Sequence, residues 1–182
     1  MDNIVIYDSL PFTPIEGQEG YYQYVRTLDG ELGIGPDEIF FPLDGKGFGN
    51  DLPDSIKAKR PPNIPAGEHN YSFTMELHRT FTYQKGMTFK VGNTNDVWMF
   101  INNRLVLDFG GISSPQPVVY NLDQALDSIG MVLEEDREYR LDLFVAERRA
   151  FGTYIEIISN IIAPTPAGVT IEVSPQDTIM AG

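Results

Sequence analysis

The chain has 182 residues, no cysteine, and 26 acidic against 13 basic side chains, for a formal net charge of −13. Without thiols there is neither a disulfide framework nor a thiolate metal site, and the acidic balance disfavours nucleic acid and anionic membrane as partners. Nine Tyr, eleven Phe, seventeen Gly and thirteen Pro fit many strands joined by tight turns, so an all-β domain is expected.

Met1-Asp-Asn-Ile-Val-Ile places no basic residues ahead of an apolar stretch. No window approaches the roughly eighteen apolar residues of a membrane span, so membrane insertion is not expected. The expected form is a mature fragment of a longer chain, or a protein that reaches a surface without a classical signal. Asn3 to Tyr7 reads as an edge strand. Residues 8 to 68 carry many Pro and Gly and little periodicity, which predicts long ordered loops. Within them, Phe40 to Gly49 sets aromatics between glycines, as in a loop pinned over one end of a core.

From Asn70 to Tyr83 the alternation is clean. Tyr71, Phe73, Met75, Leu77, Phe81 and Tyr83 share one face, broken by Arg79, and His78 stands on the polar side. After Gln84-Lys-Gly86 the alternation resumes at Met87, Phe89 and Val91, which predicts a hairpin.

The central stretch is Asn93 to Gly111, where Asn102-Asn103 separates two apolar runs and predicts a tight hairpin. An unbroken register pairs Phe100 with Leu105, Met99 with Val106, Trp98 with Leu107 and Val97 with Asp108. Trp98, Phe100, Leu105 and Leu107 then form one apolar face, with Trp98 buried between two sheets. The end opposite the turn gathers Asp96, Asp108 and several loop carbonyls.

Farther along, Pro115 to Tyr120 looks extended, and Leu122 to Gly130 fits a short helix with Asp123 as cap and Gly130 as stop. Tyr139 to Ala146 and Tyr154 to Ile162 are two further core strands. Ala163-Pro-Thr-Pro-Ala-Gly168 reads as a linker. Val169 to Val173 is strand-like without a partner in sequence, so it begins another domain, pairs with the sandwich or pairs with a neighbouring molecule.

Four stretches carry a resemblance: Asn95-Asp-Val-Trp-Met-Phe-Ile-Asn-Asn-Arg-Leu-Val-Leu-Asp-Phe-Gly-Gly111, Phe40 to Gly49, Thr80 to Gly86, and Leu143-Phe-Val-Ala-Glu-Arg-Arg149. Together they resemble the fibro-slime domain, a relative of the protective-antigen-type β-sandwich of flocculin-like adhesins. The resemblance implies an antiparallel, jelly-roll-like β-sandwich over residues 1–162, with long loops and one short helix, followed by a Pro-rich linker and strand-like tail over 163–182. It also implies an extracellular or cell-surface location. In lectin relatives of the family an adjacent acidic pair before the Val-Trp strand holds calcium, which binds sugar hydroxyls. Here that loop is Asn93-Thr94-Asn95-Asp96, and only Asp96 keeps a carboxylate. After Glu147-Arg148 the family commonly continues with His-Thr and then Asn, where this chain has Arg149-Ala150 and Tyr154.

A calcium ion would draw on Asn95, Asp96, Asp108 and Glu147, because Ca²⁺ takes six to eight oxygens from carboxylates, amides and carbonyls. The plainer alternative is that Asp96 and Asp108 cap the hairpin. Arg148, Arg149, Phe151 and Tyr154 would supply donors and stacking area for a glycan or surface protein. His69 and His78 read as surface residues, and no nucleophile-base or paired-carboxylate spacing stands out, so an enzyme is not expected. The leading reading is a non-catalytic adhesion module whose loop end binds its partner. A fibre or coat subunit assembled through residues 164–182 is the alternative, and a flocculin-type calcium lectin comes third.

Overall fold

A computed structural model describes residues 4–26, 41–47, 49–50, 70, 73–93, 96–111, 117–147, 155–162 and 168–173. The chain runs through β1 (Ile4–Ser9), β2 (Thr13–Pro14), β3 (Tyr22–Arg26), β4 (Phe73–Thr82), β5 (Thr88–Asn93), β6 (Asp96–Ile101), β7 (Arg104–Phe109), β8 (Val118–Asn121), α1 (Leu122–Ser128), β9 (Glu138–Glu147), β10 (Ile155–Ser159) and β11 (Gly168–Val173). All pairings are antiparallel, in a six-stranded sheet ordered β1-β11-β4-β9-β6-β7 and a five-stranded sheet ordered β2-β3-β10-β5-β8. One apolar core lies between them. Met75, Leu77, Met99, Ile101, Leu141 and Leu143 of the larger sheet and Phe89, Val91, Ile155 and Ile157 of the smaller one are all buried in it. Each such side chain contributes about 1.5–3 kcal/mol of burial, so the alternation of β4, β9 and β10 is what makes two sheets stack. The all-β sandwich expected from composition and strand pattern is the fold observed.

The central hairpin forms at Asn102-Asn103, whose φ angles of 47° and 63° are the paired left-handed conformations of a two-residue turn. Its register departs from the simple expectation. Phe100 pairs with Leu105, but Met99 pairs with Leu107 and Trp98 with Asp108, so Val106 is the extra residue of a bulge. Past the bulge every side chain of β7 changes face relative to β6. The inner face is therefore Val97, Met99, Ile101 and Leu107, while Trp98, Phe100, Leu105 and Asp108 point outward. Trp98 is half-buried on the outer face and is not a core residue, which corrects its expected placement between the sheets.

The second expected hairpin is a corner between sheets. β4 pairs with β9 and β11, whereas β5 pairs with β10 and β8. Tyr83 stays hydrogen-bonded to Arg137 and Asp136 at 2.9 and 3.0 Å, and the chain then turns at Gly86, whose φ is +79°, into the other sheet. Asp123 fixes this corner. Its two carboxylate oxygens accept from the Tyr83 hydroxyl at 2.8 Å and the Gly86 N–H at 3.0 Å. Burial, with Asp123 alongside, pushes the Tyr83 hydroxyl up to about 12. Asp123 is consequently not the helix cap. Asn121 is, accepting from the Gln124 N–H at 3.1 Å, and Gly130 ends the helix in a Schellman turn with Met131 bonded back to Leu126.

Leu43 is fully buried in the core and Asp44 accepts from the Asn70 N–H at 2.7 Å, so the segment around them is pinned to the sandwich as its composition suggests. The strand-like tail segment forms β11. It lies between β1 and β4 of its own sandwich, bonded to Ile4–Ser9 on one side and to Thr74–Leu77 on the other.

Candidate functional site

The loop end of the β6-β7 hairpin is organised by two carboxylates that bind backbone. Asp96, at 1% exposure, accepts from the Gly111 N–H, and Asp108 accepts from the Gly110 N–H at 3.1 Å. Both stand on the outer face of the six-stranded sheet. Glu147, also buried, is in register opposite Phe73, a core residue, and so belongs to the inner face. Asp96 and Asp108 therefore share a face and Glu147 does not join them. Among the described residues no group of three His, Asp or Glu side chains is placed to hold a metal. Asn95, Arg148, Arg149, Phe151 and Tyr154 lie outside the described residues.

The same face continues from the loop end as rows of side chains in register. Tyr7, Thr170, Glu76, Phe144, Trp98 and Asp108 occupy successive positions across all six strands. Trp98 thus sits with Asp108 on one side and Phe144 on the other. Its indole packs over Gly110, where an added Cβ would meet Trp98 Nε1 at 3.5 Å and Asp108 Oδ1 at 3.1 Å. A Cβ at 110 would lie in ordinary contact with the ring and tight against the Asp108 carboxylate, so a larger, branched side chain there would crowd the space between the indole and Asp108. Phe144 meets Phe100 edge-on with centroids 5.6 Å apart. Trp98, Phe100 and Phe144 are each half-buried, and Tyr7 is 78% exposed, so aromatic surface remains open to a partner.

The neighbouring row holds a polar cluster that the sequence did not single out. Asp142, with its side chain only 4% exposed, accepts from His78 Nδ1 at 2.5 Å and from Arg140 Nε at 2.8 Å. The other ring nitrogen of His78 is 3.0 Å from Glu76 Oε2. Partial burial works against protonation of His78, but hydrogen bonds and charge from Asp142 and then Glu76 outweigh it, and the imidazole pKa is raised. A shallow depression lined by His78, Arg79, Thr80 and Arg140 opens beside the cluster. The arrangement can hold charge and present donors, and it has an imidazole paired with a buried carboxylate. Alternation puts both His78 and Asp142 on polar positions of their strands, which was a usable signal. Their pairing depends on a register between strands 64 residues apart, which local pattern does not supply.

No family model and no solved structure matches the chain. Among curated proteins it is similar to several psi proteins of Dictyostelium discoideum. Protein psiC is 36% identical over 123 residues, covering 67% of this chain and 21% of that protein. Protein psiE is 35% identical over 127 residues, 70% of this chain and 23% of that protein. Protein psiN is 34% identical over 163 residues, 87% of this chain and 20% of that protein. The chain spans about a fifth of the length of the curated relatives it matches.

Proposed function

We propose that this chain is a non-catalytic recognition module of the fibro-slime type within a longer extracellular or cell-surface protein. It binds a glycan through the loop end of the sandwich and the adjoining outer face of the six-stranded sheet. The observation that carries this reading is the outward position of Trp98, seated on Gly110 and flanked by Asp108 and Phe144. An aromatic face beside a hydrogen-bonding carboxylate suits a pyranose ring, which has an apolar face and a rim of hydroxyls. The resemblance of four stretches to the fibro-slime domain supports the same class of function. So does similarity confined to about a fifth of much longer proteins, as expected of one module among several.

The chain has a single tryptophan, so its emission reports on the site directly. Titrating the protein with a panel of neutral oligosaccharides should shift or quench Trp98 emission for at least one of them, and Gly110→Val should abolish the response while leaving the far-ultraviolet spectrum of a β-sandwich. A panel in which no sugar alters the emission and none gives heat by calorimetry would contradict the reading.

A further inference from the structure

We propose that His78 is a proton-operated clasp that sets the charge and the aromatic packing of this recognition face, a regulatory role that rests on the outer face being the binding surface. The cluster alternates in charge across β4 and β9: Arg140, Asp142, His78 and Glu76. A carboxylate only accepts hydrogen bonds, so an imidazole between two of them satisfies both only when both ring nitrogens carry protons. The neutral ring has one N–H. Asp142 is the buried partner and Glu76 the more exposed, with side chains 4% and 29% exposed, so the remaining N–H stays on Nδ1 toward Asp142. Nε2 then turns a lone pair toward Glu76 at 3.0 Å, and Glu76 is released as an unpaired negative charge in the row that holds Phe144 and Trp98.

Phe144 carries the change across the face. Its ring meets His78 at 6.0 Å and 80° and Phe100 at 5.6 Å and 88°, so it is packed edge-on between the switching group and the rest of the aromatic surface. An aromatic ring is negative on its face and positive at its edge, so an edge-type contact responds to the charge on the imidazole and changes when that charge goes. Among the described residues the titratable and charged side chains that meet His78 are Glu76 of β4 and Asp142 of β9, with Arg140 behind Asp142 and Arg79 of β4 lining the same depression. Burial opposes protonation, but these carboxylates raise the pKa, which brings the switch toward neutral pH.

The test uses the whole protein and needs no ligand. Proton NMR should show the His78 Cε1–H titrating above the ordinary imidazole value of 6.5, its signal told from that of the other histidine through His78→Gln. Phe144 ring resonances should move with the same midpoint. Asp142→Asn should lower that midpoint while Arg140→Gln leaves His78 titrating with Asp142. An unshifted His78 midpoint, or Phe144 resonances that do not follow it, would overturn the proposal. If an oligosaccharide from the fluorescence panel binds, its affinity should fall by about 2- to 10-fold as pH passes the midpoint, the worth of one hydrogen bond, and His78→Gln should bind without that step. Binding that is unaffected by pH would remove the regulatory role and leave the glycan reading in place. Absence of any binder would remove the glycan reading and leave the titration to decide the clasp.

Discussion

Trp98 stands opposite Asp108 and not opposite Leu107, because Val106 is the extra residue of a bulge in β7. The alternation of β6 against β9 turns the only tryptophan of the chain outward beside Phe144, and the inserted residue of β7 sets Asp108 rather than Leu107 next to it. A half-buried ring also stabilises the fold less than a core ring. Trp98→Ala is expected to cost clearly less than the about 3–5 kcal/mol typical of a large core truncation, whereas Phe73→Ala, at 1% exposure, should fall in that range. Urea unfolding of both variants checks this, and equal costs would place the indole back in the core.

Asp96 offers a second measurement. Its carboxylate holds the Gly111 N–H in a buried position, so Asp96→Ala should destabilise the domain by about 1–3 kcal/mol. The loss should be the same in chelator and in millimolar calcium if the carboxylate serves the backbone. A melting temperature of the unaltered protein that rises with calcium, by an amount the variant lacks, would instead assign Asp96 to an ion.

The raised pKa of His78 fixes the sign of a pH dependence. The folded state binds the proton more tightly than the unfolded chain, so the associated stability is present in full below the ordinary imidazole value of 6.5 and is lost as pH rises through the folded-state value. Thermal unfolding across pH 5 to about 9 should therefore show a decline that His78→Gln removes. A parallel profile in the variant would mean that other groups produce the slope.

β11 makes a prediction about the tail. It is the sole strand partner of β1 among the described residues and also bonds to β4. Deleting residues 164–182 should lower the urea midpoint markedly and leave the mass in solution that of the full chain less the tail. A variant of unchanged stability that loses an oligomer present in the full chain would show that the tail pairs with a neighbour.

Much of the architecture was legible in local pattern. The alternation of Phe73, Met75 and Leu77, the Asn102-Asn103 turn and the Gly130 stop each follow from side-chain period or backbone freedom, and each is where the sequence put it. What escaped was set by contacts distant in sequence. Nothing in Gln84-Lys-Gly86 distinguishes a hairpin from a corner between sheets. The distinction comes from Asp123, which reaches the turn from 37 residues away at Gly86. The bulge at Val106 leaves no mark in an apolar run, because Val106 and Leu107 are equally suited to either face. At the candidate site, Asp96 and Asp108 were found as acidic residues at the loop end, but the outward Trp98 depends on which face of β6 meets the core, its neighbour Asp108 on the bulge, and the His78-Asp142 pair on the β4-β9 register.

On the proposed reading the partner meets the outer face of the six-stranded sheet at its loop end. Amide chemical shifts of the whole protein, recorded with and without the tightest oligosaccharide from the fluorescence panel, test it most directly. The perturbed residues should cluster at Asp96 to Phe100, Asp108 to Gly111 and Asp142 to Ala146. Perturbations gathered instead around Lys90, Val119 and Ile158, on the outer side of the five-stranded sheet, would contradict it.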